Sequence, residues 1–531
     1  MQTGVLTLAS MSSRVRVRRG AMRDGRWYWM GLVAGVTLAM SSALAAMVDM
    51  ATATSAEHQR HDAVELVVDE IFHVVQAKRY CAGRWDEWDD KITTLPGMYV
   101  MSASISLIAA ALLRSSNTQD SPLFCSPTAL RWTVNVPAAV LAAVSMYAIS
   151  SHVRAAPGAD RAASRRKKDK KSREHTAGGS PSGSDNTTAI ATAVFHQQSA
   201  LQAAALTQFP LHFFFGGLYY TDTPSTAFVL AGYATAQRRH YLLSAVCLSA
   251  AVYIRQTNAV WCLFVWALSV LDIIDPSGDV TTGDAGPIAA TVGLLQMAIA
   301  HLGRVIRRTA ALLLPVVGLA CFVVQNGSIV AGDREAHRVQ FHGMQLLYFL
   351  TFFTVAAAPL TMRPARVVRF FAWLSSQRPA NILILLSLMA LGTYVCVEHG
   401  TVVHPYLLSD NRHYAFYIWR RILRYKAARY ALGPASVYAV WALTDVCGNR
   451  HGRFWVLGFI VCAAAVTVPS PLFELRYFIL PFLIATAQAP MQATEAGALL
   501  ACNIALNIMT LVVFVSMPFG WPDGSVARFI W

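Results

Sequence analysis

The densest collection of chemically able side chains lies between the first two apolar runs, over His61 to Tyr80. Asp69, His73, Gln76 and Tyr80 recur there at three- and four-residue steps, which puts them on one face of a helix with Glu70 at its margin. Val64, Val67, Val68, Ile71, Val74 and Val75 share the other face at the same period. The pattern predicts a helix lying on a membrane surface, presenting a carboxylate, an imidazole and a phenol to whatever lies above it. A carboxylate at a partly dehydrated surface can have its pKa raised enough to take a proton from a hydroxyl. The plainer reading is a solvated polar face. The next residues, Arg84-Trp85-Asp86-Glu87-Trp88-Asp89-Asp90-Lys91, mix rings and acids. Sugar-binding surfaces use that mixture, stacking rings on C–H faces and accepting hydroxyl hydrogen bonds, but an ordinary amphipathic loop shares the composition.

The elements that must position these residues are membrane helices. The 531-residue chain is 55% hydrophobic and 14% charged, against roughly 25% charged in soluble domains, and its mean hydropathy is +0.42. Apolar runs approaching the roughly 20 residues that cross a bilayer recur along its length. The expectation is an all-α polytopic membrane protein. Residues 1–26 form a basic cytosolic N-terminus, and 27–531 form one membrane domain with a first outer loop at 51–95. The run from Trp27 to Met50 exceeds the roughly 7–15 apolar residues of a signal peptide. It reads as a retained anchor, although Ala43-Leu44-Ala45 imitates a cleavage site.

The net charge of +15 does not point to nucleic acid, because the basic clusters fall between spans. They are Arg161 to Arg173, Arg238-Arg239-His240, Arg304 to Arg308, Arg363 to Arg378 and Arg450 to Arg453, and such loops mark the cytosolic face. Residues 154–188, with their Gly/Ser run, read as a disordered basic cytosolic linker. Alternation then gathers the polar loops on the other face: His61 to Thr94, Tyr219 to Asp222, Arg255 to Asn258, Asn326 to Gln345, His404 to Arg421 and Ser470 to Tyr477. Asn326-Gly327-Ser328 is a glycosylation acceptor pattern that suits that face. For all these loops to share one side, the serine-bearing stretch Pro96 to Leu113 must dip in and return. Roughly thirteen spans remain, and the C-terminus lies outside. The nine cysteines show no Cys-x-x-Cys spacing, which speaks against zinc or redox motifs. Cys81 and Cys125 lie outside the spans and could pair, though nothing in their spacing favours it.

Several of these loops resemble one family. Asp69-Glu70-Ile71-Phe72-His73, Gln76, Arg79-Tyr80-Cys81 and Lys91-Ile92-Thr93-Thr94-x-Pro96-Gly97-x-Tyr99 are similar to the first luminal loop of the dolichyl-phosphoglucose α-1,2-glucosyltransferases. Tyr219-Tyr220-Thr221-Asp222, Arg255-Gln256-Thr257-Asn258, Gly332-Asp333-Arg334 with His337, and Leu407-Leu408-x-Asp410-Asn411-Arg412-His413-Tyr414 follow in the same order. Pro471-Leu472-x-Glu474-x-Arg476-Tyr477 and Arg528-Phe529-x-Trp531 complete the set. Departures are the basic linker, an insert around Asp272 to Gly286, and Val74-Val75, where the family has a proline.

The resemblance implies a glycosyltransferase C fold in the endoplasmic reticulum membrane, with its active site facing the lumen. It implies a dolichyl phosphate β-glucose donor and a diglucosylated dolichyl-diphosphate oligosaccharide acceptor, alongside membrane lipids and no nucleic acid. A β-linked donor and an α-linked product mean inversion, which needs a base to deprotonate the acceptor 2-hydroxyl. Asp69 is the first choice and Glu70 the second. Cationic side chains can stabilise a single departing phosphate; no Asp-x-Asp motif is present, so neither metal nor cofactor is expected. Arg412 and His413 lead as phosphate ligands, followed by Arg476 and Arg255, whose guanidinium forks suit a phosphate. Donor and acceptor contacts are further expected from His73, Gln76, Arg79, Tyr80, Lys91, Asp222, Gln256, Asp333, His337, Asp410, Glu474 and Tyr477. The arginines could instead simply pair with Asp410 or Glu474. A mannosyl transferase on the same lipid carrier, or a lipid or solute transporter, is the alternative. A transporter, however, carries its polar groups near the midplane.

Overall fold

Apolar runs fold as helices because a chain in hydrocarbon must satisfy its backbone groups within its own segment. In the computed structural model, which describes residues 25–56, 66–112, 123–155, 184–276, 278–282, 286–335, 338–448, 452–521 and 526–531, nearly every element is helical. Among the described residues, five helices are long and apolar enough to cross a membrane: Arg26–Ala53, Pro127–Arg154, Leu302–Asn326, Pro379–His399 and Ala493–Ser516. Shorter apolar helices, among them Gly97–Leu112, Tyr241–Ile254, Asn258–Ile274 and Met344–Ala356, pack around them. Pro379–His399 turns Leu383, Leu388 and Leu391 outward, each more than 60% exposed, as a lipid-facing helix does. The inner helices approach closely: a Cβ on Gly232 would meet Leu248 at 2.7 Å. The one described β-element is a short antiparallel ribbon pairing Phe519–Gly520 with Val526–Ala527.

The segment expected to form the first outer loop differs from its expected form in two ways. Its helix is Glu70–Cys81, entered by a turn at 66–69, while residues 61–65 lie outside the described residues. The polar side is also the inward side. Glu70, His73, Gln76 and Tyr80 are buried, whereas Ile71 and Val75 are exposed at 47% and 39%. The buried side mixes these polar groups with Val74 from the expected apolar face, so partners distant in sequence, and not the apolar stripe, decided which side turns inward. Second, Cys81 and Cys125 form a disulfide, with Cα atoms 6.6 Å apart, although their spacing gave no reason to favour it.

The chain therefore leaves this loop through Gly97–Leu112 and returns beside its point of departure. Gly97 begins that helix against the Tyr253 carbonyl, where any Cβ would collide. Of the basic N-terminus, only residues 25 and 26 are described. Residues 156–183 of the expected linker also lie outside the described residues, and Ser184–Thr207 is a helix.

Candidate active site

The turn before Glu70–Cys81 separates two consecutive carboxylates. Val68 adopts φ 47°, a left-handed conformation that a β-branched residue avoids. Such strain, about 1–3 kcal/mol, persists only where the surroundings over-determine the backbone. Here they do. The Tyr220 hydroxyl accepts from the Asp69 amide at 2.9 Å and donates to the Val67 carbonyl at 3.1 Å. Glu70 Oε2 accepts from the Val67 amide at 3.1 Å.

Glu70 points into the helix bundle and is fully buried. Its oxygens receive Arg131 Nε at 2.9 Å and Nη2 at 2.5 Å, together with the Tyr219 amide at 2.7 Å. Arg131, itself fully buried, also holds Asp49 at 2.7 Å. Glu70 is thus a buried ionic anchor for the turn. Asp69 points the other way and keeps 31% of its side chain exposed.

Asp69 Oδ2 accepts from Arg476 Nη1 at 2.7 Å, and the rest of the Arg476 fork grips Glu474, with Nη2 to Oε1 at 3.0 Å. Burial by itself would raise the Asp69 carboxyl. Arg476, with His73 and His413, overrides that and holds it at about 2. Burial pushes the His73 imidazole down to about 4, partly opposed by Asp69, so this ring is neutral at neutral pH. Its Nδ1 lies 2.6 Å from the Tyr99 hydroxyl.

Two further charged groups face the same place. Arg255 stands in extended backbone where helices Tyr241–Ile254 and Asn258–Ile274 break, and it pairs with Asp222 at the start of helix Asp222–Gln237. Asp222 Oδ2 is buried without a hydrogen bond. On the other side, Asp410 accepts from the Arg412 amide, Nε and Nη2 at 3.0, 2.9 and 2.7 Å. Burial would raise the Asp410 carboxyl, but Arg412 and His413 hold it below the usual range. The Arg412 guanidinium lies 4.2 Å from the Trp521 ring centre. The chain's last residues complete this corner: Ile530 bridges to His413, and His413 Nδ1 lies 3.0 Å from the Trp531 carbonyl oxygen.

Asp69, His73, Asp222, Arg255, Asp410, Arg412, His413, Glu474, Arg476 and Tyr477 thus surround one site, linked by contact or by the field each charge exerts on its neighbours. The other expected residues have supporting places. Gln76 clasps the following loop, donating to the Glu87 carbonyl at 2.7 Å and accepting from the Asp89 amide at 3.0 Å. Arg79 lies 3.7 Å from Glu87, Tyr80 packs on Trp85, and Lys91 is exposed. Gln256 donates to the Thr93 carbonyl at 2.9 Å. The Asp333 amide donates to the Asp90 carbonyl at 2.7 Å from a left-handed backbone, after Gly332 packs too closely on that carbonyl for any Cβ. His337 lies outside the described residues.

Sequence reasoning missed Asp49, Arg131, Tyr99 and Tyr220 as supports of this site. A signal existed for Arg131, a charge at the head of an otherwise apolar run, where charges are costly unless paired.

Paired carboxylates and guanidinium groups, gathered where the loops of a multi-pass helical membrane protein converge, make this its candidate active site. Its particular kin are established by comparison: the DIE2/ALG10 family model matches residues 63–487, and the chain belongs to that family. A relative from Arabidopsis thaliana named Dol-P-Glc:Glc(2)Man(9)GlcNAc(2)-PP-Dol alpha-1,2-glucosyltransferase is 30% identical, covering 89% of this chain and 96% of its own length. Relatives of the same name from Homo sapiens and Mus musculus are 31% and 30% identical, each covering 88% of this chain and 93% of its own length. No solved structure matches the chain.

Proposed function

We propose that this protein transfers glucose, with inversion, from dolichyl phosphate glucose to the 2-hydroxyl of the terminal glucose on a diglucosylated dolichyl-diphosphate oligosaccharide. The family membership and the relatives' names support the substrates. The observation that supports the chemistry is the Asp69–Arg476 pair, a carboxylate touching a cation that can hold phosphate. A carboxylate held at about 2 is a weak base. A donor phosphate entering beside Arg476 competes for its guanidinium, which releases Asp69 and lets its proton affinity rise. Asp69 then takes the proton of the acceptor hydroxyl as that oxygen bonds to the anomeric carbon. The bond from that carbon to phosphate oxygen breaks on the opposite face, and dolichyl phosphate leaves with its charge met by Arg476, Arg255, Arg412 and His413. Glu70 holds the turn that aims Asp69.

The same reading gives a glycosyltransferase C type fold of about thirteen spans in the endoplasmic reticulum membrane, with the site facing the lumen. Gly97–Leu112 enters the bilayer without crossing it, which the return of the chain to the Cys81–Cys125 disulfide supports. Transfer by the purified protein from synthetic donor to diglucosylated acceptor, with and without chelator, tests the activity. Failure of the folded protein to transfer would sink it, and loss of transfer in chelator would contradict metal-free chemistry. For topology, Gln119→Thr creates a glycosylation acceptor at Asn117, which should be modified, while the natural acceptor pattern at Asn186 should not be. The reverse outcome would overturn the returning segment.

A further inference from the structure

The loop after helix Glu70–Cys81 is built more firmly than its exposure requires. Gln76 clasps its Glu87 and Asp89 backbone, Arg79 and Arg84 flank the Glu87 carboxylate at 3.7 and 2.9 Å, and the Cys81–Cys125 disulfide fixes its origin. Gly332 and Asp333 press on the Asp90 carbonyl from a loop distant in sequence. From this scaffold Trp85 projects with 48% of its surface exposed, whereas Trp88 turns inward. The Trp85 ring is backed by Tyr80, centroids 5.0 Å apart, and Tyr80 and Trp88 both abut Tyr99, which meets His73. A continuous series of rings therefore runs from the catalytic turn out to Trp85.

The surroundings of Trp85 are wrong for a lipid anchor. Arg84, Asp86, Asp90 and Lys91 are all exposed around this loop. A rigid aromatic face among carboxylates and cations suits a carbohydrate, whose C–H face stacks on the ring while its hydroxyls reach the charges. Resting on the proposed transferase reading, we infer that Trp85 is a stacking platform for the acceptor oligosaccharide, seating a sugar well removed from the glucose that reacts. The 12-residue helix between the two places spans about 18 Å at 1.5 Å per residue, too far for the reacting sugar itself.

The test uses the purified full chain in nanodiscs, wild type against Trp85→Ala, Trp85→Phe and Trp85→Leu. Transfer is measured to the complete diglucosylated oligosaccharide lipid and to a short lipid-linked glucose disaccharide. Binding of the free complete oligosaccharide is measured separately. Trp85→Ala should raise KM for the complete acceptor about tenfold, with kcat within about twofold, and should leave the short acceptor unaffected. Trp85→Phe should keep most of the affinity and Trp85→Leu should not. Equal loss on both acceptors, rescue by Leu, or wild-type binding of the free oligosaccharide by Trp85→Ala would overturn the platform. If the wild type binds the free oligosaccharide through Trp85 yet transfers to neither acceptor, the platform stands and the transferase reading falls.

Discussion

Replacing Glu70 with Gln and Asp69 with Asn should separate structure from chemistry at adjacent positions. Glu70→Gln removes a fully buried charge from Arg131, which has no water to turn to. Breaking a buried pair costs about 3–5 kcal/mol. Arg131 keeps Asp49 at 2.7 Å, but the Val67 and Tyr219 amides donate to different Glu70 oxygens. The single oxygen of Gln accepts from only one and its NH2 faces the other donor, so the loss should lie well inside that range, about 4 kcal/mol. Asp69→Asn breaks a partly exposed pair whose arginine retains Glu474, so its stability effect should be about 0–1 kcal/mol. Chemistry should show the opposite order. Loss of the base should lower kcat by about 10²–10⁴, whereas Glu70→Gln, assayed at a temperature where it stays folded, should retain measurable turnover. Thermal unfolding in detergent and initial transfer rates on the same preparations give both readings. A Glu70→Gln protein that is as stable as wild type but inactive, beside an active Asp69→Asn protein, would refute both the anchor and the base.

Arg476→Gln should move the acid limb of kcat/KM upward by about one to three pH units, because burial then dominates the Asp69 carboxyl; an unmoved limb would exclude their coupling. His73 gives a stability signature. With a folded pKa of about 4 against 6.5 unfolded, the unfolded chain binds more protons between those values, so stability should fall as pH drops from 6.5 to 4. His73→Gln should flatten that slope in melting curves taken across the window. Val68→Gly should relieve the left-handed strain but lose the side chain's packing on the core, leaving stability within about 1 kcal/mol of wild type while lowering kcat, since the turn would no longer aim Asp69. A variant with wild-type kcat would show that the strained turn does not aim Asp69.

The helical membrane class was legible because hydrophobic run length is a local property: a segment either can or cannot bury itself in hydrocarbon. The motif residues Asp69, Arg255, Arg412, His413, Glu474 and Arg476 were equally readable, since their types and order survive as a linear pattern. Their division of labour was not. Asp69 and Glu70 look equivalent on a helical projection, and only the positions of Arg131 and Arg476, 61 and 407 residues away along the chain, turn one carboxylate into the core and the other toward the site. The Cys81–Cys125 bond was hidden for the same reason, as was the inward sense of the polar face of helix Glu70–Cys81. Sequence alone determined the membrane class and the set of chemically able side chains. Tertiary structure decided which of them meet, because ion pairs, disulfides and buried faces depend on distances in space that periodicity along the chain does not encode.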